Sequence, residues 1–153
     1  SSFDDLIIDL YLQMLVAISF GSSSEFRERV RNKKILNSFS YEWETIPGFR
    51  VLLILASTNE PDELIREINQ EFMNLDIDEE SFVRMKKVWI ANEVKMADYV
   101  DSVMNNIYDD MISYKRMIPE KLDLIRSLNI SDMKKIISKI DFNNKAVIKF
   151  VSK

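Results

Sequence analysis

The sequence predicts an α+β fold in which helices cover an antiparallel sheet, and three observations carry that reading. Over most of the 153 residues the apolar positions recur at steps of three and four, the period of helices with one buried face. From Ser38 to Thr45 the period changes to two, and Pro47-Gly48 then separates this stretch from a second strand-like run. The strand-like runs are few and clustered, roughly three against about six helical segments, rather than alternating one-to-one with helices, which argues for antiparallel pairing.

In chain order, Phe3, Leu6, Ile7, Leu10, Met14 and Ile18 fall on one face of a first helix, and Gly21 is a natural stop. Ser22 to Ser24 can cap a second helix, roughly Ser24 to Lys34, with Phe26 and Val30 inward. Phe39, Tyr41 and Trp43 alternate with Ser40, Glu42 and Glu44, as in a strand with one wet face. Phe49 to Ser57 is apolar on both faces and reads as a more central strand, paired with the first as a hairpin.

Pro61 suits the first turn of a third helix, whose buried stripe is Leu64, Ile65, Ile68, Phe72 and Leu75. After Asp76-Ile77-Asp78 comes the longest helical region, with Phe82, Met85 and Trp89 continuing through Val100, Val103, Met104, Ile107, Tyr108, Met111 and Ile112. The stripe changes phase between Trp89 and Val100, so an interruption is expected near Ala97-Asp98. Pro119 ends the region, and a short helix follows near Glu120 to Ser127. Ser131 is the expected cap of a last helix with Met133, Ile136, Ile137 and Ile140 inward, and Lys145 to Val151 reads as a third strand. Residues 1–153 thus read as a single α+β domain. Three strands are few for so many helices, so the chain is expected to be a piece of a longer one that lacks an N-terminal strand.

Composition narrows the chemistry. The apolar fraction of 46% and the charged fraction of 30% are those of an ordinary globular domain. No run of about 18 consecutive apolar residues occurs, and the first residues lack the basic region of a signal peptide, so a cytoplasmic location is expected. There is no cysteine, hence no disulfide and no thiolate nucleophile. There is also no histidine, so the chain by itself builds neither the usual catalytic zinc site nor a histidine-based triad. A net charge of −4 does not favour general adhesion to nucleic acid or to anionic membrane.

Several clusters are candidate sites. Asp76, Asp78, Glu79 and Glu80 crowd a helix start, where carboxylates favour the dipole, and they lack the glycine and final glutamate of a calcium loop. Asp109 and Asp110 are adjacent on a helix and diverge. Arg27, Arg29, Arg31, Lys33 and Lys34 are the sharpest charge cluster, read either as a solvated face or as a surface for an anionic partner such as a peptide carboxylate. No aromatic residues interleave these charges to stack bases. Phe39, Tyr41 and Trp43 read as a core-facing strand before a ligand platform, and Met96, Met104, Met111 and Met117 as helix packing.

The order FGSSSEF, RERVRNKKIL, NSFSYEWE, a Pro-Gly turn and FRVLLILASTNEPDEL resembles the second, non-catalytic domain of pitrilysin/insulinase-type zinc peptidases. DIDEESFVRMKKVWIANEV and LIRSLNISDMKKII continue the likeness in order, which is nearest to the processing-peptidase-like homologues of Gram-positive bacteria. The resemblance implies paired α+β halves that enclose a chamber for short or unfolded peptides. Zinc is then expected in the partner half or a homologous subunit, on an inverted H-x-x-E-H helix that this chain does not contain. No catalytic residue or metal ligand is expected here.

The expected partners are that zinc-binding half and the peptide substrate, with no nucleic acid and no membrane. Some members of the family carry an arginine and, seven residues later, a tyrosine that orient the substrate. Arg31 matches the arginine; Ser38 stands at the tyrosine position, and Tyr41 is the nearest tyrosine. Arg31 and Tyr41 are therefore the candidate substrate-binding residues. The rival reading is a catalytically inactive homologue or companion subunit acting as a protein-interaction module.

Overall fold

The computed structural model describes residues 2–46 and 48–151, with side chains from residue 5 onward. Its elements are α1 (Ser2–Phe20), α2 (Glu25–Asn32), β1 (Ser38–Ile46), β2 (Phe49–Ser57), α3 (Pro61–Met73), α4 (Glu79–Met96), α5 (Val100–Tyr114), α6 (Lys121–Ser127) and α7 (Ile130–Ile137). The α+β class and the antiparallel hairpin stand as the sequence predicts. The chain gathers into two compact units, Ser1–Leu15 with Ile77–Ser138 and Val16–Asp76 with Lys139–Lys153. Phe3 and Pro47 fall outside the described side chains.

The second unit is built on local signals that agree with one another. Ser24 caps α2, its hydroxyl accepting the Arg27 N–H at 3.2 Å. That cap sets the phase which buries Phe26 and Val30 completely. They join Val16, Phe20, Ile35 and Leu64 in one apolar cluster, against which Phe39, Tyr41, Trp43, Leu52, Ile68 and Phe72 pack. Phe26 meets Phe20 edge-on at 4.9 Å between ring centroids and Phe39 at 5.3 Å, favourable aromatic geometries.

Gly21 turns the chain between α1 and α2, and it is a steric necessity there. A Cβ at this position would lie well inside van der Waals contact of the Ala17 carbonyl oxygen. Because that obstacle is backbone, Gly21→Ala is expected to lower stability by about 1–3 kcal/mol. Urea unfolding of the two proteins measures the difference.

β1 and β2 pair from Ser38↔Ser57 to Ile46↔Phe49. This register puts Phe39, Tyr41 and Trp43 of β1 on one face with Leu52 and Ile54 of β2. Ser40, Glu42 and Glu44 share the exposed face with Val51, Leu53 and Leu55.

Two strand expectations are corrected. Among the described residues the sheet has only two strands, so β2 is an edge strand and its second apolar face is exposed. Residues 145–151 form no strand. Lys145 Nζ donates to Asn69 Oδ1 at 2.6 Å and Lys149 pairs with Asp62, so this segment runs along α3 in the opposite direction. The alternation of KAVIKFV is real, but its lysines are anchored on a helix instead of being paired in a ladder.

In the first unit the interruption expected near Ala97-Asp98 is present, since α4 ends at Met96 and α5 begins at Val100. Asp78 caps α4, accepting the Ser81 N–H at 2.7 Å, which holds its carboxyl below the usual range. The acidic cluster at this helix start therefore has a structural use. α7 is capped by Asn129, whose Oδ1 accepts the Asp132 N–H at 2.9 Å, and not by Ser131. The Asn129 N–H in turn donates to the Tyr11 hydroxyl at 3.0 Å, tying α7 to α1 within this unit. Lys86 Nζ donates to the Leu128 carbonyl at 2.7 Å, satisfying an orphan acceptor at the end of α6.

Averaged over a window, Asp5–Asn32 is long and apolar enough to cross a membrane, although no unbroken apolar run does so. Of the most apolar 18-residue window within it, 56% is buried within the protein.

Candidate functional site

The five cations of the basic cluster do not share one surface. Arg29 and Lys33 are four residues apart on the side of α2 that meets α3. Arg29 Nε donates to Glu67 Oε2 at 3.2 Å and its Nη2 to Glu71 Oε2 at 2.9 Å. Lys33 Nζ donates to Glu63 Oε1 at 2.8 Å and also pairs with Glu67. Glu67 is 4% exposed, so its charge is held in the folded protein by these two partners. Its carboxyl lies below the usual range because of the Lys33 hydrogen bond, with burial opposing and Arg29 reinforcing. Two of the five cations are thus structural. Sequence reasoning missed this network, and the usable signal was a second i, i+4 row, Glu63, Glu67 and Glu71, opposite in charge to Arg29 and Lys33.

The remaining three, Arg27, Arg31 and Lys34, follow each other at i, i+4 and i+7 along and just beyond α2. Arg27 lies over the Phe39 ring, 5.0 Å from its centroid, and donates through Nη1 to the Phe39 carbonyl at 3.3 Å. Arg31 is exposed, and its Nη2 donates to the Ser22 carbonyl at 3.4 Å, a weak tether. Lys34 is exposed and adopts a left-handed backbone, φ 57°.

Tyr41 is half-buried on the covered face of β1, its ring 6.4 Å from that of Phe39. Burial pushes its hydroxyl above the ordinary tyrosine range, while the Arg27 charge pulls it back. The charge that reaches Tyr41 is therefore that of Arg27, whereas Arg31 donates to Ser22. The two candidate residues lie on adjoining elements, with Arg27 and Phe39 set between α2 and β1.

This arrangement can hold an anionic or hydrogen-bonding group. The chain has no histidine, and among the described residues no three acidic side chains are grouped to hold a metal ion. The donor set of the described residues does not fit a zinc ion.

No protein-family model matches the sequence, and no curated protein matches it either. Solved structures share the fold, two of them over most of this chain. One is a protein described as an M16-like peptidase from Alicyclobacillus acidocaldarius, with a TM-score of 0.74 and 17% identity over 86% of this chain. The other is the periplasmic protease PqqL from Escherichia coli, with a TM-score of 0.66 and 14% identity over 87% of this chain. The chain spans 32% of the first protein and 16% of the second. The fold is that of a domain found in M16-like peptidases.

Proposed function

We propose that this chain is a non-catalytic, substrate-binding and chamber-forming domain of a zinc-dependent peptidase of the pitrilysin/insulinase class. The observation that carries the reading is the fold shared with two peptidases of which the chain spans only a part, in a sequence with no histidine to hold zinc. Metal and water activation then belong to a partner half or homologous subunit. The task of this chain is to bind and orient a peptide.

Arg31 is the contact we assign to the substrate, with Tyr41 on the adjoining strand β1 as a second candidate. An exposed guanidinium held by one weak tether is free to form a bidentate pair with a carboxylate. Arg31→Ala in the assembled peptidase is expected to reduce peptide cleavage or binding about tenfold, in line with the loss of one charged hydrogen bond. Its melting temperature should stay within a degree or so, as for a surface substitution. A large loss of stability with unchanged cleavage would make Arg31 structural instead.

A further inference from the structure

α5 is placed with its apolar side outward. The sequence leads one to expect Val100, Val103, Met104, Ile107, Tyr108, Met111 and Ile112 in the interior, yet none of them is buried, and Val100, Met104 and Tyr108 are at least 60% exposed. The more buried side carries Ser102, Asn106 and Asp110 together with Ile107 and Tyr114. Asp110 has a reason to be there: its carboxylate accepts the Ile118 N–H at 3.2 Å and so fixes the turn that follows. Tyr114 donates to Asp9 at 3.4 Å.

Outward, Val100, Met104, Tyr108 and Met111 follow each other at i, i+4, i+8 and i+11, with Ile112 beside them. Val100 is 78% exposed and Tyr108 66%, so this is a continuous stripe and not a scatter of single apolar residues. It extends over about 16 Å, three helical turns. The reading of Met104 and Met111 as internal packing is therefore corrected: both face solvent.

Within α5 the charged residues have one sign, and Lys115 follows directly as its C-cap. Asp101 and Asp109 are exposed along the edge of the stripe, and α5 contains no lysine or arginine. Among the described residues neither aspartate has an ion-pair partner. This charge decides between occupants. A second copy laid parallel, α5 against α5, would bring four aspartates to one seam, with Lys115 only at its end. An anionic membrane surface would be repelled by the same carboxylates.

We propose that α5 is a docking surface for an amphipathic helix of a partner protein, one whose apolar stripe is edged by lysine or arginine. Helix-on-helix recognition of this kind is read through anchors at i, i+3, i+4 and i+7. The two methionines suit it because their unbranched side chains adapt to the partner's shape. The inference stands apart from the peptidase reading, since it uses neither Arg31 nor Tyr41.

The test uses the full 153-residue chain and two labelled helical peptides of about four turns, identical in their leucine stripe, one edged with lysine and one with glutamate. Fluorescence anisotropy at low salt is expected to show the lysine-edged peptide binding about tenfold or more tightly, with the preference shrinking as salt is added. Met104→Ser with Met111→Ser should abolish binding at an unchanged melting temperature, both side chains being exposed. Asp101→Lys with Asp109→Lys should invert the preference between the peptides. Equal affinity for both peptides, binding unaffected by the methionine pair, or no binding to either overturns the proposal. So does sedimentation that shows a dimer lost in the methionine variant, which would make a second copy the occupant. Vesicles of mixed phosphatidylcholine and phosphatidylglycerol that capture the native chain but not the variant would overturn it in favour of lipid.

Discussion

Truncating Phe26 to alanine is expected to destabilise the chain by about 3–5 kcal/mol, the usual result of deleting a fully buried phenylalanine. Phe26 has no exposed surface and touches three elements: Phe20 at the end of α1, its own helix α2, and Phe39 on β1. The loss combines the transfer free energy of the ring with a cavity that two other aromatic rings cannot easily fill. Such a loss is a large part of the roughly 5–15 kcal/mol by which domains are stable. Urea denaturation of Phe26→Ala beside Phe26→Leu checks the account. The leucine variant, which keeps most of the volume, should lose less than half as much.

Removing both cations that face Glu67 is expected to be nearly as severe. Arg29→Ala with Lys33→Ala would leave a buried carboxylate with no countercharge, and breaking a buried pair from one side costs about 3–5 kcal/mol. Either single variant should cost less, because the other cation remains. Adding Glu67→Met to the double variant should recover much of the loss, since an apolar side chain of similar size needs no partner.

The dependence on pH has a definite sign. In the native chain the Glu67 carboxyl is held below the ordinary glutamate range, chiefly by Lys33. Its contribution is therefore fully present above that range and is lost as pH falls through the lowered folded value. The gap between native and double variant should narrow on acidification. A gap that widened would contradict the assignment.

Local chemistry was the legible part of this fold. The Ser24 cap, the inward Phe26 and Val30, the Pro61 helix start and the break between α4 and α5 all follow from residues within a few positions of one another. What the sequence misplaced depends on partners far along the chain. KAVIKFV has the alternation of a strand, but a strand needs a neighbour, and Asn69 and Asp62 on α3 take its lysines first. At α7 both Asn129 and Ser131 are good capping residues, and only the geometry of the preceding turn chooses between them.

α5 shows the limit of reading burial from an apolar stripe. Periodicity identified the stripe correctly; it does not say whether the protein itself or a partner covers it. The candidate site was legible to a similar degree. The basic cluster stood out, but its division into a structural pair facing Glu67 and an outward row containing Arg31 required the position of α3. Tyr41 lies half-buried on β1, where the charge that reaches it is that of Arg27.

The most direct test of the proposed role is hydrolysis of a quenched, unstructured peptide by this chain alone and by this chain mixed with its zinc-binding half, each with zinc and with chelator. The account predicts zinc-dependent cleavage in the mixture and none by the chain alone. Cleavage by the chain alone would contradict the argument from its missing histidines. No cleavage by an assembled, zinc-loaded mixture would contradict the peptidase role and leave an interaction module.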